Sequence, residues 1–280
     1  MKTLGYYNGT IGEIAELTVP MNDRASFFGD GVYDATYAHN HVIYCLDAHV
    51  DRFFRSMSLV RMTPPWSKEE LKDLLRNLVR KVDSGDQFVY WQVTRGTAPR
   101  KHAFPAGPVN LWVTLTPQTV ENTYRKLKLI TVEDTRFLHC NIKTLNLLPN
   151  VLAAQRTAEA GADEAVFHRG EVVTECAHSN IHILQDGVFI THPADCCILP
   201  GIARQNLMGV CSRLGVPVAE RAFTLDALFT ADEVIVSSSG DFCMAACEID
   251  GKPVGGKAPA LLQALQDQSV ADFRAATENQ

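Results

Sequence analysis

Residues 132–148 read VEDTRFLHCNIKTLNLL. A strand-like run, KLKLITV (126–132), leads into this stretch, and a helix is expected over Asn146 to Ala160 on its far side. Pro149 falls in that helix's first turn, where a proline is tolerated, and Gly161 stops it. Lys143 is the only lysine of the stretch. Leu145, Leu147 and Leu148 follow it and are expected to be buried. Burying an ammonium costs several kcal/mol unless it is paired or neutralised. Two readings stand on these residues alone. Lys143 has a lowered pKa and acts as a neutral amine nucleophile, or its head snorkels to water.

Working outward, the second half continues with strands at ADEAVFH and EVVTE, separated by a turn at Arg169-Gly170. A hairpin, IHILQDGVFIT, turns at Asp186-Gly187. Pro200-Gly201 breaks the chain before a helix that begins near Ile202 and ends at Gly215 and Pro217. A short helix over Leu225 to Phe229 has Thr224 as its cap, and DEVIVSSSG is a buried strand running into a Ser/Gly turn. CEIDGKPV carries an Asp250-Gly251 turn, and Leu261 to Phe273 is a last helix.

The first half opens on hairpins, with Asn8-Gly9 as the strongest turn signal. Gly29-Asp30-Gly31 is a turn before the alternating strand VYDATYA, and the Asn40-His41 tip leads to VIYCL. Asp47 is read as the cap of a helix starting AHVDRFFRSM. Ser67 and Glu70 form a capping box. Leu71, Leu74, Leu75, Leu78, Val79 and Val82 then recur with helical spacing. QFVYWQVTR and VNLWVTLTP are strands, joined by the loop GTAPRKHAFPAGP, which carries Arg100 and His102. The polar run after residue 117 reads as a linker. These elements predict an α+β or mixed α/β fold of two domains, 1–117 and 124–280, joined by linker 118–123.

Composition narrows the function. The 280 residues carry a net charge of −6 and no basic stripe, which argues against nucleic acid as a partner. No GxGxxG follows a strand and no Walker A sequence is present. The N-terminus lacks an apolar leader and no apolar run approaches a membrane span. Eight scattered cysteines, none in a CxxC pair, read as reduced thiols in a cytoplasm and not as a metal site.

Three features offer an anion site: the helix start at Gly201 to Arg204, the turn Ser237-Ser238-Ser239, and Arg52. Glu175 ends a strand; it is either solvated or, if buried, needs a cationic partner, for which a protonated pyridine nitrogen would serve. Arg100 and His102, two apart on one loop, either face a carboxylate together or are two solvated cations.

In order and spacing, FGDGVYD (28–34), HVDR (49–52), YWQVTRGTAPRKH (90–102), residues 132–148, ADEAVFHRGEVVTE (162–175), SNI (179–181), LPGIAR (199–204) and the serine turn at 237–239 resemble the fold-type IV pyridoxal-phosphate enzymes, most closely the D-amino-acid aminotransferases. The resemblance spans nearly the whole chain. It implies that Lys143 tethers pyridoxal 5'-phosphate and carries the α-proton, and that Glu175 pairs with the ring nitrogen. It assigns the phosphate to Arg52, the backbone N–H groups of Ile202 and Ala203, and Ser238 and Ser239. It sets Leu199 against the ring and Tyr33 near the cofactor and substrate. It makes Arg100 and His102 a substrate-carboxylate clamp, contributed from the neighbouring subunit of a homodimer. The implied reaction is ping-pong amino transfer between a D-amino acid and a 2-oxo acid.

Four positions depart from that pattern. Cys176-Ala177-His178 precedes Ser179 where small residues are usual, Ala203 replaces a hydroxyl residue, and Gly240-Asp241 replaces a Thr/Ser pair. TEC (174–176) and GIARQ (201–205) look like the aminodeoxychorismate lyases. That lyase activity, forming 4-aminobenzoate, and branched-chain amino transfer are the alternatives within the same fold.

Overall fold

The computed structural model describes residues 1–278. The chain divides into two compact units, one of Met1–Val120 with Ile142–Asn146 and the residues from Arg274 on, the other of Glu121–Asn141 and Leu147–Phe273.

The first unit contains β1 (Leu4–Tyr7), β2 (Thr10–Gly12), α1 (Arg24–Phe28), β3 (Gly31–His39), β4 (Val42–Ile43), α2 (Leu46–Leu59), α3 (Lys68–Val79), β5 (Gln87–Thr94) and β6 (Asn110–Pro117). Its strands form one antiparallel sheet in the order β2-β1-β6-β5-β3-β4. The Asn8-Gly9 turn closes the first hairpin with both residues at positive φ (46° and 98°). The capping box forms as read: the Ser67 side chain accepts from the Glu70 N–H, and the Glu70 carboxylate accepts from the Ser67 N–H. Phe53 and Met57 of α2 and Leu71, Leu75 and Leu78 of α3 pack with Val89, Trp91 and Val113 of the sheet into one core. Asp47 is not the cap of α2. The N-cap is Cys45, without a side-chain bond, and Asp47 lies in the first turn, paired with Lys72 at 2.7 Å.

The second unit contains β7 (Leu127–Glu133), α4 (Leu148–Glu159), β8 (Glu164–Arg169), β9 (Val172–Cys176), β10 (Asn180–Gln185), β11 (Val188–Thr191), α5 (Ile202–Arg213), β12 (Val218–Glu220), β13 (Phe223–Thr224), α6 (Leu225–Thr230), β14 (Glu233–Ser237), β15 (Met244–Ile249), β16 (Lys252–Pro253) and most of α7 (Pro259–Glu278). Ten strands form one sheet. Hairpins supply some of its antiparallel pairs, β10–β14 and β9–β13 are antiparallel pairs of strands distant in the chain, β7 lies parallel to both β8 and β15, and β11 lies parallel to β12. The sheet is therefore mixed, and the fold is a mixed α/β one of two units, as the order of elements in the sequence predicts. Alternation along β14 decides its packing. Val234 and Val236 join a core with α6, whereas Ile235 joins Leu207 and Val210 of α5 and Leu262 and Leu265 of α7.

The segment carrying Lys143 sits apart from its sequence neighbours. Ile142–Asn146 belongs to the first unit, although the strand and helix flanking it belong to the second. The reason is backbone pairing. The Tyr33 N–H donates to the Lys143 carbonyl at 2.9 Å, the Leu145 N–H to the Gly31 carbonyl at 3.1 Å, and Val32 bridges Thr144. These residues extend the open side of β3. The leucines beyond are less buried than their composition predicts: Leu145 and Leu147 are half-buried, and Leu148, at the start of α4, is 69% exposed.

Candidate active site

In the first unit, Lys143 has a fixed backbone and a reaching side chain. Its N–H donates to the Ser56 hydroxyl at 3.3 Å and its carbonyl accepts from Tyr33, while Nζ lies 4.3 Å from the centre of the Tyr33 ring. The ring face favours a cation. Tyr33 in turn stacks on Tyr90 at 5.4 Å, and the Tyr90 hydroxyl donates to Gln92.

Arg52 and His49 stand one helical turn apart on α2 and share Asp34 of β3. Arg52 donates to both Asp34 oxygens through Nε (2.9 Å) and Nη2 (2.7 Å), and the His49 ring Nδ1 lies 2.8 Å from Oδ1. Burial works against the Asp34 anion, yet the Arg52 and His49 charges and hydrogen bonds win and hold its carboxyl well below the usual range. Burial is the largest cause of the lowered His49 pKa, with Asp34 opposing it. Facing a carboxylate that carries no proton, the His49 ring is the donor of this bond, through Nδ1–H. Among the described residues, this arrangement uses Nε and Nη2 of Arg52 and leaves Nη1 available to an anion.

Arg100 and His102 are exposed on their loop and gather on Phe28: the Arg100 guanidinium is 5.3 Å from that ring and the His102 ring 5.1 Å.

In the second unit, Glu175 at the end of β9 is buried and held on both oxygens. Arg136 Nη1 donates to Oε1 at 2.5 Å; the Asn180 amide (3.0 Å) and the Leu199 N–H (2.9 Å) donate to Oε2. Arg136 also grips Asp134 through Nε and Nη2 and lies over the Phe167 ring at 4.5 Å. The Asn180 amide additionally donates to the Leu199 carbonyl, so both main-chain groups of Leu199 are fixed. Gly201 must be glycine here, because a Cβ would lie 2.1 Å from the Asn180 Oδ1. It is the N-cap of α5 and provides no side-chain cap. The first N–H groups of that helix, Ile202 and Ala203 among them, are free of intrahelical partners and face outward from the helix start.

Ser238 and Ser239 are half-buried just beyond β14. The Ser238 hydroxyl donates to Asp241 at 2.7 Å, and the two residues exchange backbone hydrogen bonds. Asp241 thus orders the turn instead of merely adding charge to it. His178 leans on Glu164, 2.7 Å away, which also accepts from Ser179; its side chain is 64% exposed.

The structure thus groups Lys143, Tyr33 and Arg52 in the first unit, and Glu175, Leu199, Ile202, Ala203, Ser238 and Ser239 in the second. Sequence reasoning passed over Arg136, Asn180, Asp34 and His49. The spacing of His49 and Arg52 in HVDR was a usable signal, since residues three apart share a helix face. Arg136 had none, because its carboxylate partner is 39 residues away.

The sequence profile of the family described as "Amino-transferase class IV" matches residues 31–249. The chain belongs to this family. It is 40% identical over 267 residues to a D-alanine aminotransferase of Listeria monocytogenes, covering 92% of each chain. A D-alanine aminotransferase of Staphylococcus haemolyticus is 38% identical over 267 residues, with 94% of this chain and 95% of the relative covered. Among solved structures, the branched-chain amino acid aminotransferase of Escherichia coli superposes with a TM-score of 0.89 over 99% of this chain and 96% of its own, at 20% identity, which establishes the fold alone. A T.th. branched-chain amino acid aminotransferase, solved with pyridoxamine 5'-phosphate, gives a TM-score of 0.89 over 99% of this chain and 95% of its own, at 25% identity.

Proposed function

We propose that the chain transfers the amino group of a D-amino acid of the alanine or glutamate type to a 2-oxo acid, using pyridoxal 5'-phosphate. The observation that carries this reading is the 40% identity over 92% of both chains to a D-alanine aminotransferase. The donor set suits the cofactor chemically. An uncapped helix start and the remaining donor of a buried arginine suit a phosphate. A rigidly held carboxylate suits a protonated ring nitrogen, and an amine on a pinned backbone suits an aldehyde. Arg52, the N–H groups of Ile202 and Ala203, Ser239 and, with its hydroxyl turned from Asp241, Ser238 would hold the phosphate, Glu175 the ring nitrogen, Leu199 the ring, and Lys143 the aldehyde carbon. When bound, pyridoxal phosphate supplies the carbonyl that accepts the amino group and the electron sink that makes the amino acid's Cα–H acidic.

The chain's own residues do the rest. Lys143 is fixed at its N–H and its carbonyl, so only its side chain moves. Nζ would take the proton from the substrate Cα as a general base and then, as a general acid, deliver it to the carbon that receives the amino group. Tyr33 supplies a ring face on which the protonated Nζ rests. Arg136 keeps the Glu175 carboxylate aimed, and Asn180 keeps Leu199 in register with it. Arg100 and His102 bind the substrate carboxylate and thereby choose which face of Cα meets Lys143. Both are exposed within one chain, which supports a homodimer in which this loop serves the neighbouring subunit. The 2-oxo acid product leaves before the second substrate enters, so the kinetics are ping-pong. The eight free cysteines support a cytoplasmic location. No described helix is long and apolar enough to cross a membrane.

The test is to mix the protein and pyridoxal phosphate with D-alanine or L-alanine plus 2-oxoglutarate and follow pyruvate. The expected result is turnover of the D isomer. No turnover of D-alanine, D-glutamate or D-aspartate, with 4-aminobenzoate formed from aminodeoxychorismate, would replace this reading with the lyase.

A further inference from the structure

The loop between β5 and β6 is long, and most of it is exposed, yet its tip is tied down. Its stem is fixed by Asp23, which accepts from Thr94 (2.8 Å) and Asn110 (2.7 Å). Gly96 fixes it further: its φ is 89°, and a Cβ there would lie 2.1 Å from the Pro108 carbonyl oxygen, so no side chain fits. The tip is tied by arginines. Arg24, 3% exposed, donates through Nη1 to the carbonyls of Lys101 (2.5 Å) and Ala103 (3.4 Å), and through Nη2 to that of His102 (3.3 Å). The Arg95 guanidinium lies 3.7 Å from the centre of the Phe104 ring, and its Nη groups donate to the carbonyls of Val60 and Arg61 after α2.

Both arginines are aimed by one carboxylate. Asp30 accepts from Arg24 Nε at 2.7 Å and from Arg95 Nε at 3.0 Å. An arginine whose Nε is engaged presents its two Nη groups in a fixed fork, which is how Arg24 reaches three successive carbonyls. Asp30 itself is held by its place in the chain. Gly29 precedes it at a φ of 61°, where its carbonyl accepts from the Asn146 side chain, and Gly31 follows it, accepting from the Leu145 N–H. The same turn therefore fixes the segment that carries Lys143 and, through two arginines, the loop that carries Arg100 and His102.

We infer that Asp30 is a positioning residue for substrate binding: through Arg24 and Arg95 it holds the 100–104 loop in the shape that presents Arg100 and His102 to a substrate carboxylate. This rests on the clamp role given to those two residues above. Asp30 touches no substrate. Its charge aims the forks, and the forks order the loop before the carboxylate arrives, so that binding does not carry the full cost of ordering it.

The experiment combines kinetics with limited proteolysis of the pyridoxal-phosphate-loaded enzyme. Asp30→Asn is expected to raise KM for both amino acid and oxo acid about tenfold while changing kcat much less, the pattern of lost binding common to ground and transition states. In an Arg100→Ala/His102→Ala background, the same change should add less than about twofold, since coupled residues are not additive. Trypsin should cut after Arg100 and Lys101 roughly five to ten times faster in Asp30→Asn, with other sites unchanged. Arg24→Lys keeps a cation beside Asp30 but cannot span three carbonyls, and it should reproduce both effects if Asp30→Asn does not fold. Asp30→Glu should restore KM in part. Faster cutting at every site, additive KM effects, or wild-type KM and cutting in both variants would overturn the inference. A wild-type KM in Arg100→Ala/His102→Ala sinks the clamp reading itself. A raised KM there beside a wild-type KM in Asp30→Asn sinks only the role of Asp30.

Discussion

Arg52 in the first unit and Arg136 in the second each meet a buried carboxylate, but the two pairs are built the other way round. Asp34 is enclosed by side chains from one helix, Arg52 and His49, and serves to aim the arginine. Glu175 is enclosed by an arginine, an amide and a main-chain N–H, and here the arginine serves to aim the acid. Arg136 also has a second carboxylate, Asp134, whereas the carboxylate that Arg52 meets among the described residues is Asp34. The same chemical pair therefore gives a cation with a donor to spare in one place and an anion with a fixed direction in the other. This difference suits a phosphate and a ring nitrogen respectively.

The comparison breaks most readily at Asp34. Asp34→Asn removes one partner of a fully buried ion pair and should cost about 3–5 kcal/mol, read as a lowered denaturation midpoint with unchanged slope. A change within error would mean that Arg52 does not depend on Asp34. Glu175→Gln should leave stability nearly intact, since Arg136 retains Asp134, but lower kcat by roughly 10²-fold, the scale of one lost electrostatic stabiliser. A stability loss equal to that of Asp34→Asn would erase the contrast. Arg52→Lys gives up the fork while keeping the charge, and pyridoxal phosphate should bind about tenfold more weakly by titration of its visible absorbance. Unchanged affinity would take Arg52 out of phosphate binding.

Much of the scaffold was legible because its signals are local. Asn8-Gly9 and the capping box at Ser67 and Glu70 involve residues within three positions of each other. α1 was not read, since five residues give no helical period. The place of the Lys143 segment was hidden for a similar reason: its attachment to β3 rests on a few main-chain bonds that leave no pattern in side chains. Leu148 was expected inside because leucine usually is, but it stands on the outer side of the first turn of α4. At the site, order and spacing pointed to Lys143, Glu175 and the phosphate residues through resemblance. The residues that aim them were silent, because Arg136, Asn180, Arg24 and Asp30 act on partners set by the fold, as far as 79 residues away for Arg24.

Acid should separate the contributions, with the smallest effect. His182 is fully buried against Ser237 and Thr191, and burial first, then Arg204, lowers its pKa to about 3. A histidine kept neutral by folding stabilises fully above its unfolded pKa of about 6.5, and that contribution is lost as pH falls toward the folded value. His49 behaves in the same sense. Asp34, held below the usual range, contributes fully above about 4 and is lost only at lower pH. The melting temperature should therefore begin to fall below about pH 6.5 by a few degrees and drop more steeply below about pH 4. His182→Gln should shrink the first phase and leave the second, and an identical profile would remove His182 from that phase.

The role of Lys143 is open to direct chemical trapping. The protein is loaded with pyridoxal phosphate, reduced with borohydride, digested and mapped by mass spectrometry, with D-alanine added before reduction in a parallel sample. The expected result is a phosphopyridoxyl group fixed on Lys143 in the first sample and absent from it in the second, where D-alanine has taken its place. A label fixed on another lysine, or one on Lys143 that D-alanine does not displace, would contradict the assignment of Lys143 as the residue that carries the transfer.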